Sequence, residues 1–168
     1  NLSERAININ TRNANLIAEF NTIKISNIDI NLNLIKFLKN ESSIKNIKIE
    51  SASNLIKDVT SFLNTIDYNL YRYIFYTQIK EGLLDFKIDA KLDSKRQEPL
   101  SYFISGSVSN AKLNIPGYEN VNDINFNFQS QDKITKISNL NFVYQDISFL
   151  SKSLEIIKEN IGEYFIQG

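Results

Sequence analysis

Carboxylates are the only side chains through which this 168-residue chain could carry acid–base chemistry, because it contains no His and no Cys. Those two absences remove the commonest general base, the thiol nucleophile, disulfides and nearly every zinc site. A carboxylate pair could still act as acid and base, as in glycoside hydrolysis. The best-placed pair, Asp85 and Asp89, alternates with Lys87 and Lys91. On a strand that spacing puts all four on one side, where they read as a solvated face with cross-strand ion pairs. Asp and Glu never fall at the spacing of a calcium loop, and the five glycines are scattered rather than gathered into a phosphate loop. Asn1-Leu2-Ser3 and Asn40-Glu41-Ser42 match the glycosylation sequon, as chance allows in so Asn-rich a chain. The expectation is no enzyme: no catalytic residue, no metal and no cofactor.

The elements that carry these residues are mostly strands. In Leu84-Asp85-Phe86-Lys87-Ile88-Asp89-Ala90-Lys91-Leu92, apolar and charged residues alternate strictly, so one face is buried and the other meets water. One-sided strands of this kind belong to antiparallel sheets. A second strand, Tyr102 to Ile115, places Ile104, Gly106 and Val108 on one face; Asn110 shifts the phase, and Ala111, Leu113 and Ile115 continue the row. The charged stretch Asp93 to Pro99 reads as the hairpin loop between the two.

A short phrase recurs: apolar, any, Asn or Asp, apolar, any, apolar. It occurs at Ile25–Ile30, Ile44–Ile49, Val121–Phe126 and Ile137–Phe142. Two polar residues between apolar ones break the period of two, which a β-bulge absorbs by bending the strand. Asn and Asp suit such sites because they tolerate left-handed backbone angles. The phase therefore breaks at Asn27, Asn46, Asp123 and Asn139, and the sheet is expected to curve.

Two helices are expected between strands, over about residues 54–81. Ser53 can cap the first, in which Leu55, Val59, Phe62 and Ile66 form a stripe. The second runs from about Leu70 to Glu81 and stops at Gly82, although the Tyr-rich run Tyr68 to Tyr76 also suits a strand. A helical corner, Leu34 to Leu38, separates the first long strand from the next. Between Asp146 and Ile166 the pattern gives further short strands, with Leu154 to Ile161 equally suited to a helical turn. No linker divides the chain, so residues 1–168 form one domain.

Composition agrees with a folded domain: 42% hydrophobic, 23% charged, formal net charge zero. That balance argues against nucleic acid as a partner, since phosphate binding needs a basic excess. Asn and Ile together make up about three-tenths of the chain, far above ordinary usage; the codons of an AT-rich genome account for the excess. With Asn1 first and no Met, the expectation is a piece of a longer protein. No apolar run is long enough to span a membrane, and no signal-peptide pattern is visible.

The phrase Ile23 to Leu32, corner Leu34 to Leu38, return strand Ile44 to Glu50 resembles the AsmA-like superfamily, bacterial relatives of the chorein-type bridge lipid-transfer proteins. So does the later order: helix pair, Gly82, charged-alternating strand, Ile104-Ser105-Gly106-Ser107-Val108, Asn110-Ala111-Lys112-Leu113 and the ending Tyr164-Phe165-Ile166-Gln167-Gly168. The resemblance implies a mainly β (α+β) fold: a long curved antiparallel sheet forming an apolar trough, with the helix pair inserted. It implies a segment that carries phospholipid acyl chains between membranes in the periplasm, tied to the inner membrane by an anchor outside this stretch. The lipid-binding residues it implies are Ile23, Ile25, Ile28, Ile30, Phe86, Ile88, Ile104, Val108, Phe126, Phe128, Leu140 and Phe142. Burying a methylene is worth about 0.8 kcal/mol, so a sixteen-carbon chain leaving a bilayer needs on the order of 12 kcal/mol of shelter. About eight strands at roughly 4.8 Å would make a trough about 40 Å long. Periodicity alone fits a ligand-free structural or adhesive β-sandwich equally well.

Overall fold

Branched apolar residues alternating with Asn, Lys and Asp favour a pleated, half-buried surface, and most of this chain is built as one. In the computed structural model, the structure describes residues 6–18, 21–39, 43–66, 77–93, 99–160 and 163–168. Ten strands form a single antiparallel sheet: β1 Ala6–Ala18, β2 Asn21–Asn33, β3 Ile44–Ser51, β4 Asn54–Leu55, β5 Ile79–Leu92, β6 Pro99–Leu113, β7 Val121–Gln131, β8 Ile134–Tyr144, β9 Ile147–Asn160 and β10 Glu163–Gln167. The order is β1-β2-β3-β5-β6-β7-β8-β9-β10, a meander in which, β4 aside, each strand lies beside the one before it. β4 continues the line of β3 by pairing Asn54 and Leu55 with Leu84 and Leu83 of β5.

The helical corner lies where the pattern puts it, as α1 Leu34–Leu38, capped by the Asn33 side chain accepting from the Lys36 amide. The first of the two expected helices is α2 Ile56–Ile66. Ser53 does not cap it: β4 intervenes, and the Ser53 hydroxyl reaches the Asp85 carboxylate instead. For the second, residues 70–76 lie outside the described residues; Thr77 and Gln78 are helical, but Ile79 to Glu81 are strand. Gly82 is therefore no helix stop. It sits inside β5 with φ of +126°, and a Cβ there would come 2.7 Å from the Ala111 Cα. The β5 pairing with β6 shifts register on either side of the preceding Glu81. The tail forms one long strand, β9, and the short β10, with no helical turn in the described part.

The phase breaks are real, and their positions follow two rules. Asn110, Asp123 and Asn139, on three successive strands, are left-handed with φ of 52°, 53° and 54°. The registers of β6 with β7 and of β7 with β8 each shift there by one residue. Asn side chains stitch the row together. Asn125 accepts from the Asn110 amide at 2.9 Å and donates to the Asp123 carbonyl and to Asn141 Oδ1. In the two earlier copies neither Asn27 nor Asn46 is left-handed. There the extra residue is the one before: Ser26, facing left-handed Asn13 of β1, and Lys45. The Ser26 hydroxyl fills its gap by donating to the carbonyls of Glu50 and Ser51.

Side-chain burial is concentrated under α2. Ile23, Ile25 and Val59 form one buried cluster, and Ile56, Ile79 and Ala111 a second. Asn54, 5% exposed, closes the gap where β3 breaks off. Its amide accepts from the Lys24 N–H and donates to the Lys24 and Ala52 carbonyls, doing for β2 what a strand residue would do.

Candidate functional site

Register assigns the side chains of this sheet to two faces of opposite character. On one, Ile28, Ile49, Ile88 and Ile104 lie opposite one another on four adjacent strands. The next row along the strands is Ile9, Ile30, Ile47, Ala90 and Tyr102. On the other side of the isoleucine row, Phe86, Gly106, Phe128, Ile137 and Leu154 run across five strands. Gly106 is required there: a Cβ would meet the Asp85 carbonyl oxygen at 2.2 Å and the Phe128 ring at 2.7 Å. Leu84, Val108 and Phe126 form a further row, with the Phe126 and Phe128 rings tilted at 6.3 Å.

Most of the twelve expected lining residues fall on this apolar face. Ile23 and Ile25 are fully buried against Val59 of α2, while Ile28 and Phe86 sit at the border of that cluster. Val108 borders the second cluster. Ile30, Ile88, Ile104, Phe126 and Phe128 are partly exposed. Leu140 and Phe142 lie beyond the Asn139 bulge, and Phe142 stacks on Phe149 at 4.9 Å. Residues that pattern-reading missed complete the surface: Ile47 and Ile49 between the chosen strands, and Ile7, Ile9, Ala14 and Leu16 of β1. The alternation Ile7-Asn8-Ile9-Asn10 carried the signal for β1.

The opposite face is polar from edge to edge. One register row reads Arg12, Asn27, Glu50, Lys87, Ser105, Gln129, Lys136, Glu155, Gln167, one residue from each of nine strands. Opposite charges meet within it, Lys87 with Glu50 at 3.2 Å and Lys136 with Glu155 at 2.9 Å. In the next row Lys48 pairs with Asp89 at 3.0 Å, so one member of the Asp85–Asp89 pair is engaged in a cross-strand ion pair. Hydrogen bonds from Asn10 and Asn27, aided by Lys48 and Arg12, hold the Asp29 carboxyl below its ordinary range. Lys136 and Gln167 do the same for Glu155. The hydrogen bond to Asp89 raises Lys48 above the ordinary ammonium value.

This polar face carries an apolar island. Phe103, Gln131, Ile134, Ile157 and Phe165 share a register row, and a cleft of about 380 Å³ opens beside Phe103 and Ile134, rimmed by Gln129, Gln131 and Lys136. Among the described residues no three Asp or Glu side chains converge as metal ligands would, and no helix is long and apolar enough to cross a membrane. No family model, curated protein or solved structure matches the chain.

Proposed function

We propose that this chain is a segment of a lipid-carrying β-trough, its apolar face sheltering phospholipid acyl chains as they pass between membranes. One observation carries the reading: the isoleucine row Ile28–Ile49–Ile88–Ile104 and the neighbouring Phe126 and Phe128 are partly exposed although they form a continuous apolar surface. Monomeric proteins rarely leave large contiguous apolar surfaces bare without a ligand or partner for them. Nine strands abreast at about 4.8 Å span roughly 40 Å, enough to lay an acyl chain across several strands. The bulge row supports the reading too, since bulges bend and twist a sheet. The resemblance to AsmA-like proteins supplies the rest of the proposal: a periplasmic setting, phospholipid as cargo, and attachment to the inner membrane through an anchor outside this stretch.

Native mass spectrometry of the purified chain should show bound phospholipid, and a lipid-free spectrum from folded protein expressed in bacteria would refute the proposal. Ile88→Asp and Phe126→Asp separate the trough from a closed β-sandwich. In a trough each reduces lipid capture several-fold while the far-ultraviolet spectrum and cooperative unfolding persist. In a closed core the buried unpaired charge would unfold the domain.

A further inference from the structure

The isoleucine row does not stay apolar across the whole sheet. Beyond Ile104 it continues through Ser130, Thr135 and Ile156, on β7, β8 and β9 in turn. Two hydroxyls therefore interrupt an apolar row rather than end it. Phe128 and Ile137, paired in the adjacent row, close the notch on one side. On the other side lie the β7–β8 turn and Tyr102, whose hydroxyl donates to the Asp132 carbonyl at 2.9 Å.

Elsewhere in this sheet hydroxyls mend the backbone where the ladder falters. Ser26 donates to two carbonyls beside its register shift, and Ser51 accepts from the Phe86 amide just past the last β3–β5 pair. Ser130 and Thr135 mend nothing. The ladders on both sides of them run without a register shift, and Thr135 Oγ1 donates to Ser130 Oγ at 3.0 Å. Both side chains are half-buried. A cross-strand hydroxyl pair adds only slightly to a sheet, and two apolar residues would continue the surface better. One hydroxyl donates to the other, so one hydroxyl hydrogen of the pair is left to find an acceptor above the face.

A charge accompanies them. By alternation Lys158 follows Leu154 and Ile156 on the same face of β9, about 7 Å nearer the turn end. Lys48, Lys87 and Lys136 on the polar face each meet a carboxylate, whereas exposed Lys158 meets none among the described residues. Across this corner the surface passes from apolar to hydrogen-bonding to cationic. A phospholipid has the same order, from tails through acyl ester to phosphate.

We propose that the notch receives an acyl ester carbonyl of a phospholipid, with the phosphate toward Lys158 and the tails over Ile104, Phe128 and Ile137. The assignment rests on the lipid-trough reading and adds to it an orientation and a preferred class, ester-linked lipid bearing a phosphate.

Competition binding read by native mass spectrometry tests it. The delipidated chain is offered equal amounts of phosphatidylglycerol and its ether-linked analogue, which keeps the tails and the phosphate but lacks the ester carbonyls. The ester lipid should be preferred about five-fold, the worth of one hydrogen bond. Ser130→Ala with Thr135→Val should abolish that preference while total lipid capture and circular dichroism persist. Against diacylglycerol, which has the same tails and esters, phosphatidylglycerol should be preferred several-fold, and Lys158→Gln should remove this second preference. Glycerol phosphate in excess, having no tails, should displace neither lipid. Equal capture of ester and ether lipid by the wild type would overturn the inference and leave the trough standing. Preferences that survive the substitutions would do the same, as would displacement of lipid by glycerol phosphate. A folded wild type that takes up none of these lipids would refute the trough and the notch together.

Discussion

Single amides and carboxylates hold this sheet together where its ladder breaks. From a buried position Asn54 accepts from the Lys24 N–H and shares the Lys24 carbonyl with the Ala52 N–H, so truncating it leaves the Lys24 donor without a partner. Asn54→Ala should cost about 2–3 kcal/mol, read as a lower midpoint in urea unfolding. At the exposed polar face, Asp29 and Glu155 are both held below their ordinary values of 3.8 and 4.5. A carboxyl depressed in the folded state stabilises it above the unfolded pKa and loses that contribution as pH falls through the folded one. The melting temperature should therefore be flat near neutrality and fall below these values, and Asp29→Asn with Glu155→Gln should flatten the acid limb. Lys48, raised by Asp89, works in the opposite sense: its contribution is intact below the ordinary value of 10.5 and disappears as alkaline pH passes the folded one. The charged alternation of Asp85 to Lys91 was legible as an ion-paired face from spacing alone. The work of Asn54 was not, because it depends on a break in β3 that no local pattern announces.

Among elements, the bulges are the most informative. A left-handed Val is sterically penalised whereas Gly is not, so Asn139→Val should cost about 1–2 kcal/mol and Asn139→Gly far less. Equilibrium unfolding of the two variants checks this; equal losses would remove the left-handed backbone as the reason for Asn. Each of the four copies of the recurrent phrase located an irregular site to within one residue, and two of them identified Asp123 and Asn139 outright. It misplaced the earlier two because Ser26 and Lys45, rather than the following Asn, are the residues left over in the register. Gly82 misled for a related reason. A glycine after a helical run reads as a helix end, yet here its left-handed backbone and the close approach of Ala111 serve a strand. β1 was missed because its period of two, clear in Ile7-Asn8-Ile9-Asn10, is interrupted at left-handed Asn13.

At the scale of the whole molecule, burial is lopsided: α2 covers one end of the apolar face, and the described remainder is partly open. The one-sidedness of the strands made the two-faced sheet legible in advance, but which part α2 covers is a tertiary choice. It rests on Ile56 and Val59 finding Ile79, Ala111, Ile23 and Ile25, residues separated by tens of positions in the chain.

The meander order has a consequence for how the protein comes into being. Apart from the excursion through α2, every strand finds its neighbour through a short connection, so little loop entropy is lost at each step. The sheet can be laid down from β1 onward in the order of synthesis, each emerging strand docking on one already in place. The β1 edge, interrupted at left-handed Asn13, is then laid down before the other described strands.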